Sequence, residues 1–208
     1  MSGESKREAA RQRIAAKRAA DAAAPASTSG SGSVFTVGRA DAPVTVDLYE
    51  DFQCPTCKAL EDSTGSTIDD LVTAGTAHVR YHGMAFLDTD ANDDYSTRAL
   101  NAAAVVADTA GTGAYQRFHD LLFANQPAEG GSRLTDDQLV GHAQQAGATD
   151  ASVAVDIRDL VYGDWVRGAE DQASKDGVTG NPTVLVDGDD LDDLSPAGLT
   201  AAVTAAQQ

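Results

Sequence analysis

An α/β fold with a helical insertion follows from three features of this 208-residue chain. A strand–helix–strand pattern occupies roughly residues 43–84, a strand–turn–helix pattern closes the chain after Pro182, and the stretch between them carries helical periodicity. The first strand, over about 43–49, is Val44-Thr45-Val46-Asp47-Leu48-Tyr49. A helix over about 55–73 follows, with Leu60, Ile68 and Leu71 as inward candidates, and then a strand over 77–84, Ala-His-Val-Arg-Tyr-His-Gly-Met. This order predicts a parallel pair with a right-handed crossover. In the helical stretch, Tyr115, Phe118 and Leu122 mark one apolar face, and Val153, Ile157, Leu160, Val161 and Trp165 mark another. Thr135-Asp-Asp-Gln138 reads as a capping box opening a helix with Leu139, Val140 and Ala143 inside. Pro182 to Asp187 returns to strand, Gly188 to Asp193 forms a hairpin bend, and Ser195-Pro196 supplies a cap and first-turn proline for a last helix to about Ala206.

Composition sets the limits. Hydrophobic residues make up 42% of the chain and aromatics only 5%, so Ala, Val and Leu must fill the core. Residues 1–20 carry a net +4 and residues 21–208 a net −21, which gives the overall −17. An acidic globule repels nucleic acid and anionic membrane. No run of about 20 apolar residues exists to cross a bilayer. The basic start lacks the apolar stretch of a secretory leader. Residues 1–33 read as a disordered basic tail with a Gly/Ser linker, and residues 34–208 as the folded domain.

Chemistry concentrates at Cys54-Pro55-Thr56-Cys57, which holds both cysteines of the chain. A strand delivers this motif to a helix N-terminus, where free amides and the helix dipole favour a thiolate, the reacting species in thiol–disulfide exchange. Two other uses of the pair fit less well. Half of a zinc site would need two more ligands, and His78, His82, His119 and His142 lack the usual helical ligand spacing. A purely structural disulfide would close too short a loop to restrain the unfolded chain much. A second candidate is Asn181-Pro182, where a proline just before a strand suits a cis turn.

The element order β-α-β, helices, α-β-β-α is that of the thioredoxin fold with a helical insertion at about 90–165. Tyr49-Glu50-Asp51-Phe52-Gln53-Cys54-Pro55-Thr56-Cys57-Lys58 and Gly177-Val178-Thr179-Gly180-Asn181-Pro182-Thr183-Val184-Leu185-Val186 together resemble the DsbA-like branch of thioredoxin-fold oxidoreductases, closest to actinobacterial members, from about Val34 to the C-terminus. The resemblance implies that Cys54 is the attacking, solvent-facing thiolate and Cys57 the buried resolving thiol. It implies that Pro182 is a cis proline against the sulfurs and that Asn181 pairs with an extended substrate. It also implies a proton-relay carboxylate, for which Asp47, Glu50 and Asp51 are candidates. Cysteine-containing protein clients and a recycling redox partner are expected, with no organic cofactor and no metal. Relatives often place Thr or Val where Asn181 stands. The most oxidising members carry His where Thr56 stands, so Pro55-Thr56 should tune a less oxidising couple. Disulfide formation is the expected direction; a reductase, an isomerase and a non-catalytic thioredoxin-fold binding module are the alternatives. The family implies an extracytoplasmic, cell-envelope setting, although neither leader nor membrane segment is legible in the chain.

Three further clusters carry weaker signals. Asp88-x-Asp90-x-Asn92 starts like a calcium loop but has Asp93 and Ala99 where Gly and Glu are needed. The acids of Asp187 to Asp193 read as a solvated hairpin tip. Phe52, Tyr81, Met84 and Phe86 could line a client groove or simply be core, and Trp165 on a helix face reads as core or rim.

Overall fold

The computed structural model describes residues 34–128 and 133–208; the tail and linker expected over 1–33 lie outside the described residues. Among the described residues, one mixed sheet is formed by β1 (Val34–Val37), β2 (Val44–Glu50), β3 (Ala77–Gly83), β4 (Thr183–Val186) and β5 (Asp189–Asp190), in the order β1-β3-β2-β4-β5. β2 and β3 run parallel, with Val44 opposite Ala77 and Glu50 opposite Gly83, and every other pairing is antiparallel. The helices are α1 (Pro55–Thr73), α2 (Tyr95–Ala110), α3 (Thr112–Ala124), α4 (Asp136–Ala146), α5 (Val153–Arg158), α6 (Gly163–Lys175) and α7 (Pro196–Ala206).

Strand alternation sends side chains to two helical layers. Val46, Leu48 and Val184 meet Leu60 and Ile68 of α1 and Leu199 of α7 around a cavity of about 10 Å³, barely one water in size. On the opposite face Tyr49 and Leu185 pack with Met84, with Ala173 of α6 and with Val178. The expected caps are present: Thr135 and Gln138 exchange bonds at the start of α4, and Ser195 accepts from the Gly198 N–H ahead of α7.

One expectation is corrected, and several open readings are resolved. The apolar face from Val153 to Trp165 belongs to two helices, because Leu160 adopts a left-handed conformation (φ 46°) and is 38% exposed. The break is held from within: buried Asn101 of α2 donates to the Ile157 carbonyl and accepts the Tyr162 N–H. Helix continues past 165 to Lys175. Phe52, Tyr81 and Met84 are core residues, and of that set Phe86 alone is exposed. Trp165 is half-buried against Phe35. Asp88 caps α2 by accepting the Ser96 and Thr97 amides, and Asn92 closes a capping box with Thr89, so both serve chain geometry. Asp187 accepts the Thr45 N–H at 2.7 Å, stapling the hairpin to β2.

Candidate active site

β2 ends at Glu50, and four residues later Cys54 caps α1. Its backbone is extended (φ −74°, ψ 118°), so the side chain folds back over the first turn, and Pro55 fills the first helical position, where no amide is needed. Cys54 Sγ accepts the Cys57 N–H at 3.4 Å and lies 2.9 Å from the Thr56 hydroxyl. Both cysteines are unpaired thiols in this structure. Cys54 is 6% exposed and Cys57 2%, so the openly solvent-facing sulfur expected at Cys54 is corrected to one largely covered by its neighbours.

The second motif arrives from the loop before β4. The Asn181–Pro182 bond is cis. The Cys54 thiol donates to the Asn181 carbonyl at 3.8 Å, and Asn181 Nδ2 donates to Cys57 Sγ at 3.6 Å. Asn181 therefore touches both sulfurs, one with its backbone and one with its side chain. Burial pushes the Cys57 thiol well up, and the charge of Glu50 and the nearby Cys54 add to the shift. Cys57 is therefore held protonated at rest.

The three relay candidates have different surroundings. Asp47 is engaged with His82 at 2.6 Å and Arg80 at 3.3 Å. Asp51 is fully buried and accepts from the Gln53 amide, the Ser96 hydroxyl and the Leu87 amide, tying the cysteine loop to the segment after β3 and to α2. Burial pushes its carboxyl up to about 6 despite those three donors. Glu50 is also buried and is bonded to His119 of α3 at 2.6 Å. Burial alone would lower the His119 value, but Glu50, with Asp120 and Glu61, outweighs it and raises it to about 10.

Two residues here had no signal in the sequence. Gln126, just past α3, donates to the carbonyls of Phe52 and Cys54, both at 3.0 Å, and so fixes the turn that presents the cysteines. His119 lies 69 residues from its partner Glu50, on an element of the insertion. Both depend on tertiary packing that no local pattern encodes.

Glu61, His119 and Asp120 are close enough to share an ion, but the imidazole already bonds Glu50 through Nε2 and faces Asp120 through Nδ1. Among the described residues no helix is long and apolar enough to cross a membrane.

A family model described as thioredoxin matches residues 30–205. The structure is similar to oxidised DsbA of Mycobacterium tuberculosis, at 32% identity and a TM-score of 0.73, covering 83% of this chain and 91% of that one. It is equally similar to the reduced disulfide bond oxidoreductase DsbG of the same organism, at 31% identity and a TM-score of 0.72, covering 92% of both. A curated relative, the serine/threonine-protein kinase PknE of Mycobacterium tuberculosis, is 36% identical over 122 residues, 57% of this chain. The chain spans only 22% of that kinase's length. With the paired cysteines at a helix N-terminus, the Asn181-Pro182 turn beside them and these matches across most of its length, the chain belongs to the thioredoxin family, in its DsbA-like branch of thiol–disulfide oxidoreductases.

Proposed function

We propose that this protein exchanges disulfides with protein cysteines through Cys54 and Cys57, in the direction of disulfide formation. The observation that carries the reading is the N-cap position of Cys54, whose sulfur meets the Cys57 amide and the Thr56 hydroxyl. Donors aimed at the sulfur stabilise the reduced pair, and a stabilised reduced form makes the oxidised pair a better oxidant.

In the forward cycle a client thiolate attacks Cys54 Sγ of the oxidised pair. The Cys54–Cys57 bond breaks, a client–Cys54 disulfide forms, and Cys57 leaves and takes up a proton. A second client thiolate then attacks the client sulfur, closing the client disulfide and releasing Cys54 as the thiolate. The reduced pair is reoxidised by a redox partner. Asn181 and Pro182 border the sulfurs and would meet the client backbone, and Pro55 and Thr56 tune the couple. Glu50, whose charge acts on Cys57, is the relay we favour over Asp47 and Asp51. The organisation behind this reading is a catalytic unit over residues 34–208.

The test mixes oxidised protein with a reduced two-cysteine peptide and follows peptide disulfide by mass, alongside the reduction potential against glutathione. Stoichiometric oxidation with a potential above that of the glutathione pool supports the formation direction. A pair that stays oxidised in that buffer and only reduces disulfides makes the protein a reductase.

A further inference from the structure

Gln53 stands between two anchored carbonyls. Gln126 holds those of Phe52 and Cys54, and Asp51 accepts the Gln53 N–H at 2.8 Å, so the backbone that carries this side chain is fixed. The carboxamide reaches the short helical turn at Asp90–Asn92, between β3 and α2, where Asn92 Nδ2 donates to Gln53 Oε1 at 3.0 Å. The direction of that bond is set from behind. Asn92 Oδ1 accepts the Thr89 N–H at 2.8 Å, and Asn92 Nδ2 also donates to the Leu87 carbonyl, a group that can only accept. The Gln53 oxygen therefore faces Asn92, and its Nε2 faces away. Among the described residues Nε2 has no hydrogen-bond partner, yet the atom is not sealed from solvent, in a residue that is otherwise buried.

Sheet topology says which side of the sulfurs this donor serves. β3 and β4 flank β2, so the segment after β3 and the loop before β4 reach the cysteine turn from opposite sides. Asn181 touches both sulfurs from the β4 side. Gln53, one residue before Cys54, is held on the β3 side. A client segment that crosses Cys54 Sγ from Asn181 runs toward Gln53, and an extended chain carries carbonyl oxygens along its edges. We propose that Gln53 is a substrate-positioning residue, whose Nε2 donates to a peptide carbonyl beside the client cysteine, with Asn92 holding the carboxamide in that orientation. The proposal rests on the Cys54/Cys57 exchange reading.

The carboxamide is fixed before a client arrives, so its side chain gives up little rotamer freedom on binding. The contact reads the main chain, so it favours polypeptide over small thiols without selecting a sequence. A disulfide that carries no amide, such as 2-hydroxyethyl disulfide, meets the same Cys54 sulfur and gains nothing from Gln53. A Gln53 that merely tied the cysteine turn to the turn at Asp90–Asn92 would affect both kinds of disulfide alike.

The test uses the full chain carrying Cys57→Ser, so that attack by Cys54 ends in a stable mixed disulfide whichever direction the pair runs in. Rates of mixed-disulfide formation are measured by mass with two probes: a short one-cysteine peptide dimerised through its disulfide, and 2-hydroxyethyl disulfide. The peptide rate divided by the small-disulfide rate cancels any change in the reactivity of the sulfur itself. Gln53→Met removes the donor without adding charge, and Gln53→Glu removes it while keeping an acceptor for Asn92. Each should lower the ratio by about threefold or more, the loss of one hydrogen bond. Asn92→Asp, which cannot donate to Gln53, should lower it as well, with no further fall when added to Gln53→Met. A fall of less than about twofold in either Gln53 variant, or a further fall from Asn92→Asp in the Gln53→Met background, overturns the inference while leaving the exchange reading intact. A Cys57→Ser parent that reacts with neither disulfide overturns both. Folding is checked by circular dichroism, and Gln53→Met, which keeps the length of the side chain, decides alone should another variant fail to fold.

Discussion

Replacing Asp51 with Asn should flatten the dependence of stability on pH. The Asp51 carboxyl is fully buried, and burial raises it to about 6 from an ordinary 3.8, against the pull of the Gln53, Ser96 and Leu87 donors. The folded protein therefore keeps this proton to a higher pH than the unfolded chain does. The stability it contributes is complete below about pH 4 and is lost as pH rises through about 6. At 1.36 kcal/mol per pH unit of difference, the loss across that window is about 3 kcal/mol. Asn cannot titrate. It also turns an amide toward a donor that Asp51 now accepts, which subtracts a constant of about 1–3 kcal/mol at every pH. The constant drops out when slopes are compared. Urea unfolding of wild type and variant at pH 4, 5, 6 and 7 should show the wild type losing about 3 kcal/mol more than the variant over this range. Glu61 and Asp69 are also raised by burial and act in the same direction, but they are common to both proteins and cancel. Parallel profiles would refute the argument, and so would a wild type that gains on the variant as pH rises.

Gln126→Leu should cost about 1–3 kcal/mol in urea unfolding, because two hydrogen bonds to the Phe52 and Cys54 carbonyls are lost. It should slow peptide oxidation more than Asn125→Ala, whose side chain bonds only its own helix. Thr56→His should raise the reduction potential by tens of millivolts, since an imidazolium beside Cys54 Sγ favours the reduced form and about 30 mV corresponds to 1.4 kcal/mol; glutathione titration checks it, and a lower potential would contradict it. Asn101→Ala should destabilise by about 2–4 kcal/mol, because the Ile157 carbonyl and the Tyr162 amide lose a buried partner. Thermal and urea unfolding measure it, and a loss below about 0.5 kcal/mol would show that the α5–α6 break does not depend on this bridge.

The elements with local signals were legible in the sequence: the alternating strands β2 and β3, α1 with its proline start, the Thr135 capping box and the Ser195-Pro196 start of α7. The parts that were not legible share a physical cause. α2 is buried on nearly every side, through Ala99, Leu100, Ala102, Ala103, Val105 and Val106, so it has no amphipathic stripe to read. It lies tight against the sheet, and any Cβ on Gly83 would collide with Leu100. β1 is four residues long and gains its identity from pairing with β3. The break at Leu160 uses a left-handed residue that is not glycine and depends on Asn101, some 60 positions earlier. The cysteines and Asn181-Pro182 were visible as motifs. The Glu50–His119 pair and Gln126 exist only once α3 has packed behind β2.

The most direct test is to map the disulfide that forms when Cys57→Ser protein meets an oxidised client peptide. Cys54 is the N-cap sulfur and is 6% exposed, whereas Cys57 lies one turn in at 2% with its thiol pushed well up. Mass spectrometry of the non-reduced digest should find the client joined to Cys54 in a reductant-sensitive complex that persists because the resolving sulfur is gone. Cys54→Ser should give no such complex. A client trapped equally on either cysteine, or on neither, would contradict the assignment of Cys54 as attacker and Cys57 as resolver.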